Sequence, residues 1–228
     1  MVTILQIETA TQVCSAALSV NGETIALKEL AAQNIHAGSL TLFIQDVMQQ
    51  AAISYASLDA IAVSKGPGSY TGLRIGVSTA KGICFAQEKP LIAIDTLKMM
   101  SQGFMEANAS YAGLICPMID ARRMEVFTAL YNNQLEQAAI VEAKIIDENS
   151  YQDELNQQMI TFIGDGARKC STAIQSANAV FNDHNFNSAS YMSKLAYAAY
   201  NLQQFEDVAY FEPYYLKDFV ITQPKKKV

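Results

Sequence analysis

The sequence has no apolar run approaching the roughly 18 to 20 residues that cross a bilayer. Its start, Met1-Val-Thr-Ile-Leu, carries neither a basic stretch nor a small-residue cleavage site, so a cytoplasmic protein with no membrane contact is expected. No Cys-x-x-Cys pair occurs: Cys14, Cys84, Cys116 and Cys170 stand far apart among apolar neighbours such as Ile83, Phe85, Ile115 and Pro117. They read as reduced core residues, not as disulfide or metal partners. Positive charge is scarce, with 16 Lys and Arg against 22 Asp and Glu and a formal net charge of -6. Gripping a phosphate backbone takes a concentrated basic surface, so any role on RNA would be shared with another chain. The one basic cluster, Lys225 to Lys227, reads as a solvated terminus. Histidine is scarcer still: His36 and His184 are the only two, and neither has another histidine four residues away. Such a pair is poor material for a metal centre, and His36 reads as a structural contact at the start of a helix.

What remains is ample for a core. Half of the 228 residues are apolar, enough for one large domain or two fused lobes. Val2 to Thr11 reads as a β-branched strand ending in a polar turn, Val13 to Val20 as a second strand, and Asn21-Gly22 as a two-residue hairpin into a third, Thr24 to Leu30. From Ser39 the period changes: Leu40, Phe43, Ile44, Val47, Met48 and Ala51 recur at helical spacing. Leu58 to Ser64 is a buried strand, a second helix runs from about Leu73 to Gln87, and Pro90 separates it from the strand Leu91 to Ile94. Asp95-Thr96 then caps a third helix reaching about Met105.

The second half begins again. Ala112 to Ile119, Met124 to Tyr131 and Leu135 to Ala143 read as three strands, with a turn at Asp120 to Arg123 and a hairpin at Asn132-Asn133. Thr161 to Gly164 is a further strand, followed by helices at Ala167 to Ser176 and Ser188 to Gln204, with loops at Asp147 to Gln152 and Asn182 to Ser190. This order predicts an α/β fold of duplicated actin-like, ribonuclease-H-like lobes, each a mixed five-stranded sheet with flanking helices. The boundary is expected between Glu106 and Tyr111, giving lobes at 1–108 and 109–228.

The segment Lys65-Gly-Pro-Gly-Ser-Tyr-Thr-Gly-Leu-Arg-Ile-Gly76 joins a strand to a helix. Its spacing fits neither the Rossmann fingerprint nor the P-loop, and Ser69 does not sit in a nucleophile elbow. Two readings stay open. The turn delivers backbone N–H groups and a helix N-terminus to one point where an anion could sit, or it lets the helix lie close on its neighbours. Small residues four apart, Gly76 with Ala80 and Ser78 with Gly82, permit close helix approach inside the chain or to a partner.

Three stretches together resemble the TsaB, or YeaZ, family: Ile4-Leu-Gln-Ile-Glu-Thr-Ala10, the block Gly66 to Gly82, and Ile119-Asp-Ala-Arg122. Glu8 stands where the family has Asp, and Tyr70 where it has Phe. The resemblance implies a fold of the actin-like ATPase superfamily and a role in attaching a threonylcarbamoyl group to adenosine 37 of tRNAs that read codons starting with A. It implies a non-catalytic subunit that pairs with a catalytic TsaD-like chain, with a TsaE-like ATPase in the larger assembly and tRNA met only through the complex. A homodimer is the assembly expected when the partner is absent.

The catalytic relative holds a metal with His-x-x-x-His after the strand that follows the glycine-rich helix. The matching stretch here, Ile94 to Met100, has no histidine. No catalytic residue and no cofactor of its own are therefore expected, with ATP or ADP and a metal ion in the partner subunits. Kinases of the superfamily bind phosphate at acidic, glycine-containing turns after the first strand of each lobe. Here those turns read Glu8-Thr-Ala and Asp120-Ala-Arg, acids kept and glycines gone. Glu8, Thr9, Gly66, Gly68, Ser69, Thr71, Gly72, Arg74, Asp120 and Arg122 are the candidates for a vestigial nucleotide or anion site, with Asp120 and Arg122 also readable as an ion pair. Gly164-Asp-Gly166 reads as a strand-to-helix turn or, in the alternative, a remnant nucleotide contact. The expected partner interface is Leu40, Phe43, Ile44 and Val47 on the first helix with Leu73, Gly76, Val77, Thr79, Ala80 and Ile83 on the second. The alternatives are a stand-alone small-molecule kinase or ATPase, which the retained acids would serve, and a homo-oligomeric binding module.

Overall fold

The structure, a computed structural model, describes residues 1–32 and 36–217. The basic tail at Lys225 to Lys227 and the side chain of His36 lie outside the described residues. The first sheet is built from β1 (Thr3–Glu8), β2 (Val13–Val20), β3 (Glu23–Ala31), β4 (Ala60–Gly66) and β5 (Leu91–Asp95), in the order β3-β2-β1-β4-β5. Its helices are α1 (His36–Gln50), α2 (Tyr70–Gln87) and α3 (Thr96–Ala107). The second sheet is built from β6 (Leu114–Asp120), β7 (Glu125–Tyr131), β8 (Gln137–Ile145), β9 (Ile160–Ile163) and β10 (Ala179–Asn182). Its order, β10-β9-β6-β7-β8, is the first order repeated when read from the other edge. In each sheet the first three strands pair antiparallel and the first, fourth and fifth pair parallel. The duplication expected from element order is therefore present strand by strand.

Local chemistry explains the well-formed parts. Asn21 and Gly22 both take positive φ, 51° and 85°, the demand of a two-residue hairpin turn. Ser69 caps α2 by accepting from the Gly72 N–H at 3.3 Å, and Asp95 caps α3 by accepting from the Lys98 N–H at 3.0 Å. Leu5, Ile7, Ile61 and Val63 point from β1 and β4 onto α1 and α2, while Ile4, Ala60 and Ala62 point the opposite way. That second face meets α3, Ile115, Ile119 and Tyr131 of the second lobe, and the C-terminal helices. Each buried Leu or Ile in these layers contributes about 1.5–3 kcal/mol.

Several expected elements are shorter or displaced. The helix at Ala167 to Ser176 is a single turn, α5 (Ala167–Cys170). Ser171 and Thr172 hydroxyls bond the carbonyls of Arg168 and Lys169, competing with helix continuation. The helix from Ser188 to Gln204 divides into a 3-10 turn (Ala189–Met192) and α6 (Ser193–Asn201), because Ser188 caps a new start at Ser190. The Asn132-Asn133 turn is a wider loop in which Asn132 Oδ1 accepts from the N–H groups of Gln134 and Glu136, so β8 begins at Gln137 and not at Leu135. Short α4 (Gln152–Leu155) and edge strand β10 arise where loops were expected or no element was assigned. The C-terminal chain returns to the first lobe: the Ala189 N–H donates to Ser15 Oγ, and the Glu206 N–H to the Leu91 carbonyl.

Candidate functional site: a filled phosphate turn and an uncovered helix face

At the end of β1 the chain turns through Glu8, Thr9 and Ala10, and this turn is the seat of α2. A side chain on Gly68 would fall on the Ala10 carbonyl, one on Gly72 on the Thr9 carbonyl, and one on Gly76 on the Thr9 hydroxyl. The Ser69 N–H donates to the Ala10 carbonyl at 2.7 Å. The glycines therefore admit the chain's own turn. Of the two readings of this segment, close packing is the one the geometry supports. Gly66, with φ 114°, lies under the Tyr214 carbonyl, whose N–H donates to the Lys65 carbonyl at 2.7 Å.

Glu8 is fully buried. Its Oε1 accepts from the Ala10 N–H at 2.5 Å, whereas Oε2 has no hydrogen-bond partner, and neither has the buried hydroxyl of Ser64 on the adjacent strand. Burial pushes the Glu8 carboxyl up to about 7, against the opposing pull of the Ala10 amide and the nearby Ser64. Nearby, the Tyr131 hydroxyl of the second lobe donates to Asp95 Oδ1 at 3.3 Å, closing the gap between lobes. Burial raises the Asp95 carboxyl, and the Lys65 charge opposes that rise.

The remaining anion-site candidates do not gather at this point. Thr71 is exposed, and Arg74 turns outward, donating to the Tyr70 hydroxyl at 2.7 Å and lying over its ring. There it lines an open groove of about 360 Å³ with Lys81 and Tyr215. Asp120 bonds only within the second lobe: Oδ1 accepts from the Arg122 N–H at 2.7 Å and from Lys169 Nζ at 2.5 Å, and its own N–H donates to Asp165 Oδ1 at 3.0 Å. The expected Asp120–Arg122 ion pair is thus corrected to Asp120–Lys169. Arg122 takes φ 73° and offers its backbone in place of its guanidinium. The Gly164 to Gly166 segment is a strand-to-helix turn, closed by the Ala167 N–H on the Gly164 carbonyl at 3.1 Å. All four cysteines are buried and free, their thiols pushed up to about 11 or 12 chiefly by burial.

The expected interface residues sort by exposure. Leu40, Phe43, Ile44, Val47, Leu73, Gly76, Val77 and Ala80 are buried in the chain's own first-lobe core, and only Thr79 and Ile83 are half-buried. The row Gly76–Ala80 serves internal packing. The other row, Ser78–Gly82, faces outward, and a Cβ on Gly82 would meet nothing within 4 Å. Beside it Phe85 is 84% exposed, and Leu42 on the neighbouring α1 is 57% exposed. Both lie off the apolar stripes of their helices. A large apolar residue at a position the helical period assigns to solvent was the signal the sequence offered for them.

Two lobes built on one strand order make a duplicated α/β fold of the actin-like, ribonuclease-H-like kind. An activator of the 2-hydroxyisocaproyl-CoA dehydratase from Clostridium difficile with bound ADPNP aligns over 89% of this chain and 97% of its own at a TM-score of 0.53, with 8% identity, a likeness of fold alone. YeaZ from Pseudomonas aeruginosa aligns over 95% and 100% at a TM-score of 0.84, with 24% identity. A family model described as TsaD, tRNA N6-adenosine threonylcarbamoyltransferase, matches residues 29–225. The Escherichia coli K12 tRNA threonylcarbamoyladenosine biosynthesis protein TsaB is 35% identical over 156 residues, 65% of this chain and 66% of that protein. Two further TsaB relatives are spanned over 52% and 58% of their length. The chain belongs to this family, within its TsaB/YeaZ group.

Proposed function

We propose that the chain is a non-catalytic subunit in the threonylcarbamoylation of adenosine 37 of tRNAs that read codons starting with A. It docks onto a TsaD-like catalytic chain, with a TsaE-like ATPase in the larger assembly, and meets tRNA only through that complex in the cytoplasm. Metal and nucleotide belong to the partners. The observation that carries this reading is the outward surface of α1 and α2, where, among the described residues, Phe85 and Leu42 are exposed and nothing lies within 4 Å of a Cβ placed on Gly82. Supporting it, the turn Glu8 to Ala10 lies against the glycines where a phosphate would have to approach. Among the described residues no three His, Cys, Asp or Glu side chains come together as a metal-ligand set.

Reconstitution tests the reading. The purified chain alone should leave tRNA unmodified, and adding it to TsaD-like and TsaE-like proteins with their substrates should raise modification well above the level those proteins reach without it. Modification by the isolated chain, or no response to its addition, contradicts the proposal.

A further inference from the structure

Two fully buried side-chain oxygens on adjacent strands of the first sheet have no hydrogen-bond partner. β1 and β4 run parallel with Ile7 beside Val63, which sets Glu8 beside Ser64 on the same face. Glu8 Oε2 and Ser64 Oγ are both without a partner, although both residues are 0% exposed. An ionised carboxylate so placed would leave a buried charge uncompensated, a costlier arrangement than a neutral acid.

The polar and titratable groups around Glu8 come from β2, β4, β5 and α2. Across β2, Ser15 opposes Glu8, and its hydroxyl oxygen accepts from the Ala189 N–H of the C-terminal segment. Cys14 of β2 is a titratable group within electrical reach, and its thiol is itself pushed up to about 11, chiefly by burial. On β4 and β5, Lys65 acts on Asp95, which also holds the Tyr131 hydroxyl of β7. On α2, Arg74 is turned out onto Tyr70. Among the described residues no ion pair to Glu8 is formed.

We propose that Glu8 is held as a neutral carboxylic acid whose Oε2 proton is shared with Ser64 Oγ, and that this proton fastens the seat of α2. Ala10 is the link, because its N–H is bound by Glu8 Oε1 and its carbonyl receives the Ser69 N–H at the start of α2. Losing the proton places a charge under the turn against which Gly68, Gly72 and Gly76 are packed, and loosens the start of the helix that carries Phe85. The proton and its effect on folding are properties of the isolated chain. Only the consequence for partner docking rests on the function proposed above.

Infrared difference spectroscopy of the purified chain, stepped from about pH 5 to about pH 9, roughly two units either side of the expected titration, tests this with Glu8→Gln and Ser64→Ala for comparison. The wild-type chain should show the carbonyl band of a protonated carboxylic acid that disappears as the pH rises through about 7. Glu8→Gln should lack the band, and Ser64→Ala should shift it towards that of an unbonded acid. In parallel, denaturant titration should show the wild-type folding equilibrium falling about 300-fold relative to Glu8→Gln between about pH 3.5 and about pH 8, a span reaching about one unit beyond the ordinary and the raised value. A titrating band unchanged by Glu8→Gln, or no such band in the wild type, overturns the proposal. Should Glu8→Gln not fold, a band that Ser64→Ala leaves unmoved overturns it equally.

Discussion

The two lobes share one strand order and differ at the ends of their first strands. In the first lobe Glu8 is fully buried with one oxygen unpartnered, and the strand-to-helix segment leads into the 18-residue α2. In the second, Asp120 is exposed and paired with Lys169 at 2.5 Å, and the corresponding segment leads into the four-residue α5. The first lobe has given its end-of-strand turn to seating a long helix. The second has kept a short, polar, ordinary corner. One topology thus supplies a rigid platform on one side and a solvated surface on the other, and the exposed Phe85 stands on the platform side.

The sharpest way to break this contrast is to place a side chain where the turn meets the helix. Gly72→Val sets a branched group on the Thr9 carbonyl, which neither helix nor sheet can move away from. It should cost about 4 kcal/mol or prevent folding, read by circular dichroism and thermal melting. Next in size is the pH dependence of Glu8. A carboxyl raised in the folded state from 4.5 to about 7 adds stability that is complete below the unfolded value and lost as pH rises to the folded one. Wild type should therefore lose about 3 kcal/mol relative to Glu8→Gln across that window, measured as the midpoint of urea unfolding. A buried-stripe change such as Ile44→Val removes one methyl from the core of the same platform and should cost about 1 kcal/mol. The second-lobe counterpart, Asp120→Asn, breaks an ion pair with Asp120 47% exposed and should cost at most about 0.5–1 kcal/mol in the same assay.

Much of this was legible in the residues. The alternation of β1 and β2, the Asn21-Gly22 turn, the stripe through Leu40, Ile44 and Val47, and the caps at Ser69 and Asp95 depend on near neighbours in the chain, and local patterns report them well. Contacts between distant segments were not legible. Nothing at Gly68, Gly72 or Gly76 says that Thr9 and Ala10 will lie against them, so the glycines fit an anion turn and a packing turn equally. The apolar stripes of α1 and α2 marked which face is buried, but not whether it is buried by the chain's own sheet or by a partner. The structure gives those stripes to the sheet and leaves the residues off the stripe, Leu42 and Phe85, uncovered. Edge strand β10 escaped notice because four residues held by parallel pairing to β9 carry no period of their own.

The measurement that bears most directly on the account is the affinity of the purified chain for a TsaD-like protein, determined by calorimetry for wild type, Phe85→Asp and Gly82→Trp. Phe85 is 84% exposed and Gly82 opens onto free space, so neither substitution should alter folding or melting. The account predicts binding by the wild type and a loss of at least about tenfold in each variant, roughly 1.4 kcal/mol or more. Wild-type affinity retained by both well-folded variants would contradict it.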